Sequence, residues 1–203
     1  MLPFLLTVVG ISMSGVMMPG PVFAVTVAKS YRSQFAGALV AVGHGLVEVP
    51  LILLLYFGFI SFLHIEAVRL GVSIAGGIVL LFMGLSVLRL RTAVIESRKE
   101  LPFNSVVAGI ATSIVNPYFL LWWATVGAAL IAGSMAFGRM GLALLIPVHW
   151  LCDLVWLSFV AFLVYRTGHL WGRRVQNILL ATSALLLIGF GLWFLCSALI
   201  EMA

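Results

Sequence analysis

The sequence predicts an all-α integral membrane protein of about six transmembrane helices, built as two inverted three-helix repeats with broken helices one and four. Three observations predict it: a composition too apolar for a water-facing surface, apolar runs of membrane-crossing length, and one polar pattern repeated at mid-depth in each half. Of 203 residues, 64% are hydrophobic and 8% charged, whereas a soluble domain carries roughly 25% charged residues. Runs able to cross the hydrocarbon core, which takes roughly 20 helical residues, recur about every 30 to 35 positions. Continuous runs such as 78–83 lack the two-residue alternation of a membrane β-barrel.

The spans are expected at 2–28, 36–62, 68–89, 103–132, 140–165 and 175–200, in one transmembrane domain without a soluble module. The first should be retained, because no basic residue precedes it and Lys29 follows it, unlike a cleavable leader. Met18-Pro19-Gly20-Pro21 interrupts it. The second carries His44, Glu48 and Pro50, with Gly37, Ala41 and Gly45 as a stripe permitting close helix approach. The polar stretch 91–100 reads as a solvated loop between repeat one, about 2–90, and repeat two, about 103–200.

In the second half, the fourth span is interrupted by Asn116-Pro117, and the fifth carries Pro147, His149 and Asp153. Pro50 and Pro147 predict bends beside the polar residues, since proline removes a backbone donor. Trp122, Trp123, Trp150 and Trp156 lie within spans and either pack or line a pathway, while Trp171 reads as an interfacial anchor. Cys152 and Cys196 lie in apolar runs without CxxC spacing, so no zinc site or disulfide framework is indicated and both read as packing thiols.

Six spans would leave nine of the eleven basic residues in the loops after spans one, three and five, with Arg69 and Arg139 on the opposite side. The positive-inside rule then puts both termini outside and the basic loops in the cytoplasm of a cell membrane. The same distribution explains the net charge of +5 without a nucleic-acid partner. No cofactor motif is present, and no nucleophile and base arrangement beyond the His–acid pairs suggests an enzyme.

A shift of 105 positions lays His44 on His149, Leu46 on Leu151, Glu48 on Asp153 and Gly84 on Gly189. Three spans per repeat is an odd number, so the second repeat would be inverted relative to the first, with a substrate site between them. Glu48 and Asp153 fall near span centres, where an ionised carboxyl costs roughly 2.5–3.5 kcal/mol. The i, i+4 spacing sets His44 beside Glu48 and His149 beside Asp153 on single helical faces. Each pair reads either as a protonation switch, because imidazole titrates near neutrality, or as a polar contact locking helices together.

Pro21 and Pro117 each suit the first position of a restarted helix. Amino-terminal ends there would direct positive potential toward the middle of the membrane, where a carboxylate could dock. The bland alternative is a pair of ordinary kinks whose freed carbonyls find other partners.

Pro19-Gly20-Pro21 in the first span and Asn116-Pro117 opening the second repeat resemble the lysine exporter family of amino-acid translocators, over essentially the whole chain. The resemblance implies a secondary exporter of amino acids or related metabolites, generally driven by a proton or ion gradient. The family often has a lysine after the Asn-Pro, and here the position is Tyr118. In the resulting expectation, Pro19, Gly20, Pro21, Asn116 and Pro117 adjoin the carboxylate of an amino acid-like substrate, and Glu48 and Asp153 take its ammonium. His44 and His149, with both acids, tune protonation. The alternatives are divalent metal export, since imidazole and carboxylate ligands converge, or a non-transporting assembly subunit. The lipid bilayer is the surrounding partner, and homo-oligomerisation is left open.

Overall fold

The computed structural model describes residues 1–17, 20–58, 65–97, 103–170 and 173–202, with Pro117, Tyr118 and some other helical residues described by their backbone alone. Among the described residues the chain is helical and contains no strand. Helix α1 (Leu2–Val16) is followed by α2 (Pro21–Ser30), inclined to it by 72°. Gly20 caps α2 in extended conformation, and Pro21 supplies the first helical position. That placement needs no N–H from the proline and uses its fixed φ.

Helix α3 (Ala36–Tyr56) is continuous, and α4 runs through Glu66–Ser97. The second broken span comprises α5 (Ser105–Ile114), α6 (Pro117–Trp122), a π-helical turn (Trp123–Gly127) and α7 (Ala128–Met135). Its halves meet at 64°. Asn104 caps α5 by accepting a hydrogen bond from the Val107 amide at 2.8 Å, satisfying one of the orphan donors of the first turn. Helix α8 (Gly138–Thr167) and α9 (Arg173–Met202) complete the described chain.

Helices α3, α8 and α9 are long and apolar enough to cross a membrane, and each bent pair meets the same test as one broken span. The apolar stretch Ser73–Arg89 of α4 occupies the region of the predicted third span. Several boundaries differ from the sequence expectation. The stretch 91–97 continues α4 as helix instead of forming a loop, while 98–100 and Trp171 lie outside the described residues. A polar sequence rich in helix formers extends a helix readily once it leaves the apolar core. Helices α3 and α8 also run unbroken through Pro50 and Pro147, so these prolines end neither helix.

Apolar residues occupy the outer as well as the inner faces of the helices. On α3, Val40, His44, Glu48, Ile52 and Leu55 are buried, whereas Leu39, Val42, Leu46 and Leu53 face outward. The three-to-four-residue spacing makes one helical face internal, and the apolar remainder suits lipid. On α8, Leu145, His149, Asp153, Leu157 and Val164 are internal in the same rhythm.

Close crossings bring the buried faces together. A Cβ added at Gly37 would lie 1.9 Å from the Leu157 carbonyl oxygen of α8, and one at Gly45 would lie 2.3 Å from the Trp150 indole nitrogen. Trp150 also donates to the Ala41 carbonyl at 2.9 Å, so the small stripe of α3 receives a bulky residue of α8. Gly43 of α3 and Gly109 of α5 cross reciprocally, each against backbone of the other helix. Helices α4 and α9 form the most extensively packed pair, meeting backbone to backbone at Gly77 and Gly191. Gly84 lies in this seam but Gly189 meets nothing within 4 Å, so these residues, matched by the sequence shift, are not equivalently placed.

Candidate functional site

Four ionisable side chains predicted from the sequence meet in one cluster. The facing sides of α3 and α8 bring His44, Glu48, His149 and Asp153 together, all of them buried. The contacts cross between helices rather than following only the expected intrahelical pairs. Glu48 Oε1 lies 3.0 Å from His149 Nε2, 3.2 Å from His44 Nε2 and 3.2 Å from Trp123 Nε1. Asp153 stands farther off, with His149 Nε2 at 3.7 Å and His44 Nε2 at 3.9 Å. His149 is therefore closer to the acid of the other helix than to its own i+4 neighbour, because the crossing places both rings over Glu48.

Each imidazole is held from behind by a serine from a broken span. Ser113 Oγ of α5 lies 2.6 Å from His44 Nδ1, and Ser12 Oγ of α1 lies 2.6 Å from His149 Nδ1. The arrangement is reciprocal: a serine from the first broken span holds the later histidine, and one from the second holds the earlier histidine. Ser113 also donates to the Gly109 carbonyl at 2.7 Å. Its single proton is thereby used, so its oxygen accepts from His44 Nδ1–H. The 3.2 Å contact between His44 Nε2 and Glu48 Oε1 then requires a second proton, on the ring or on the carboxyl.

Aromatic residues fix the other sides of these rings. Phe119 meets His44 edge-on at 5.0 Å, and Trp123 meets His149 in the same manner at 5.0 Å. Trp122 lies against His149 at 5.5 Å in tilted geometry. The π turn begins at Trp123, whose ring lies against Gly127 one turn on, where a Cβ would come within 2.2 Å of it. The widened turn and the bare glycine accommodate the indole that reaches Glu48.

The cluster forms the polar end of a cavity of about 340 Å³, a volume within the range of small-molecule sites. Gly20 and Pro21 at the start of α2, and Asn116 before α6, line the same cavity. Pro19 lies outside the described residues, and Pro117 is described only as the backbone start of α6. Trp122 and Trp123 are lining residues, whereas Trp150 and Trp156 pack elsewhere. Sequence reasoning did not select Ser12, Ser113, Phe119, Phe190 or Trp193. Serine in an apolar helix ordinarily bonds to its own preceding turn, and the last two lie on α9, which carries no ionisable residue near the site to attract notice.

One oxygen of each carboxylate, Glu48 Oε2 and Asp153 Oδ2, is buried without a hydrogen-bond partner among the described residues. An oxygen of each and a ring nitrogen of His44 lie within 4.8 Å of one another. The site can therefore hold a cation at a point reachable from both acids, with imidazoles close enough to exchange a proton. The structure describes Cys152 as buried and bonded to the Val148 carbonyl at 3.3 Å, while Cys196 is exposed.

A protein-family model described as LysE type translocator matches residues 13–198. Neither the curated proteins nor the solved structures contain a match to the chain.

Proposed function

Because the chain belongs to the LysE type translocator family, a family of multi-pass membrane transporters, we propose that it is a secondary exporter of amino acids or related small metabolites, coupled to protons across the cell membrane. The observation that carries this reading is the meeting of both His–acid pairs at one end of a cavity bordered by a helix break. The ammonium of the substrate lies at the unpartnered oxygens of Glu48 and Asp153, and its carboxylate faces the first-turn amides of α2. Those amides lack intrahelical partners and carry the positive end of the helix dipole.

Coupling follows from competition for one anionic site. The proton required between His44 and Glu48 occupies the same cluster as the substrate ammonium. A ligand shifts a conformational equilibrium only through its differential affinity for the two states. Protonation that weakens the hold on the ammonium supplies such a difference. The reciprocal serine–histidine contacts support two inverted repeats around this site, and the uneven distribution of basic residues supports basic loops in the cytoplasm.

A second reading is favoured by the three convergent ligand atoms of His44, Glu48 and Asp153. These would suit a divalent metal cargo. Internal pH recorded in proteoliposomes, with amino acids and divalent metals added as separate pools, separates the two. Amino-acid export gives a pH response to one amino-acid pool that disappears in Glu48→Gln. A response confined to metals selects the second reading, and silence with both pools overturns proton coupling.

A further inference from the structure

We propose that the cavity selects an organic amine with a bulky aromatic or apolar body, and that a carboxylate on the cargo is dispensable. This inference rests on the exporter reading and specifies its substrate class. Two buried carboxylates lie at the polar end, and Glu48 Oε1 is already surrounded by three ring nitrogens. The oxygens without a hydrogen bond among the described residues are Glu48 Oε2 and Asp153 Oδ2, the latter 3.7 Å from His149 Nε2, on side chains 1% and 7% exposed. An ammonium offers three donors and a full positive charge, so it can satisfy both oxygens together.

The remaining wall has a different chemistry. Phe119, Trp122, Phe190 and Trp193 line the cavity, and no lysine or arginine does so among the described residues. Aromatic faces attract a cation through their quadrupole and pack an apolar body without imposing hydrogen bonds. A cargo carboxylate would find no lysine or arginine among the described lining residues, and away from the His–acid cluster it would meet uncharged groups such as Asn116 and the peptide dipoles at the start of α2. It would also enter a cavity whose fixed acids repel it. An ammonium alone therefore supplies the countercharge that the acids call for, and the aromatic wall rewards a large substituent on that amine.

Binding to the purified full-length chain tests this, with equilibrium dialysis of labelled phenethylamine, phenylalanine, 3-phenylpropionate and methylamine. Phenethylamine should bind at least as tightly as phenylalanine, while methylamine and 3-phenylpropionate bind about tenfold more weakly or worse. Asp153→Asn should weaken phenethylamine binding by about tenfold. Trp193→Ala, at a residue 54% exposed and thus tolerant of truncation, should weaken phenethylamine binding without changing that of methylamine.

Binding of phenylalanine but not phenethylamine would show that the carboxylate is required, overturning this inference and leaving amino-acid export intact. Equal binding of methylamine and phenethylamine would overturn the role of the aromatic wall. Binding of 3-phenylpropionate alone would overturn both the inference and the placement of the ammonium at the acids. Failure of all four probes to bind would overturn the inference, while the proteoliposome pH response judges export separately.

Discussion

At the scale of single residues, Glu48 is anchored through one of its carboxyl oxygens. Three ring nitrogens surround one oxygen, and of these the Trp123 indole N–H is a fixed donor; leaving its buried acceptor without that bond costs about 1–3 kcal/mol. Trp123→Phe keeps an aromatic ring against His149 but removes the indole donor. It should lower unfolding stability by about 1–3 kcal/mol, read by denaturant titration in detergent. Ser12→Ala and Ser113→Ala should each leave an imidazole nitrogen buried without its partner, slowing transport more than they reduce expression. Equal flux in both serine variants and the parent would remove the serines from the account. The four ionisable residues were legible in the sequence because a charge within an apolar run demands a reason. The serines were not, since Thr26, Ser30 and Ser183 also lie in helices and bond, among the described residues, to their own preceding turns. Nothing in spacing alone distinguishes Ser12 or Ser113 from them.

At the scale of elements, glycine positions divide by what an added methyl group would meet. Gly43→Ala places a Cβ 2.1 Å from the Val106 carbonyl oxygen, and Gly109→Ala places one 2.2 Å from that of Val40. Both contacts are with backbone, so α3 and α5 must separate. Each substitution should destabilise the protein by about 1–3 kcal/mol, the usual penalty of overpacking. Gly10 of α1 has nothing within 4 Å of an added Cβ, and Gly10→Ala should stabilise by up to about 1 kcal/mol through helix propensity. Thermal unfolding of the three variants checks this ordering, and equal effects would contradict the packing assigned to the crossing. The helix break at Pro21 was legible because proline chemistry is local. The π turn at Trp123 and the extension of α4 through 91–97 were not. They depend on a side chain finding a distant carboxylate and on how far a polar helix projects beyond its apolar portion.

At the scale of the whole molecule, the cavity joins the two broken spans to α3, α8 and α9. Membrane class and helical architecture could be read from composition and run length, because the bilayer constrains both. The convergence of two remote His–acid pairs required the fold, since the i, i+4 pattern describes neighbours on one helix and not contacts between helices. If the basic loops face the cytoplasm, Ser33→Cys in a background lacking Cys152 and Cys196 should react with an impermeant maleimide only after cells are permeabilised. Ala136→Cys should react in intact cells, and the reverse pattern would invert the proposed orientation. The central claim is that Glu48 and Asp153 couple cargo movement to protons, and it is tested most directly by counterflow of a labelled amino acid in proteoliposomes under an imposed pH gradient. The account predicts gradient-driven accumulation in the parent protein and its loss in Glu48→Gln and Asp153→Asn; undiminished accumulation in both variants would contradict it.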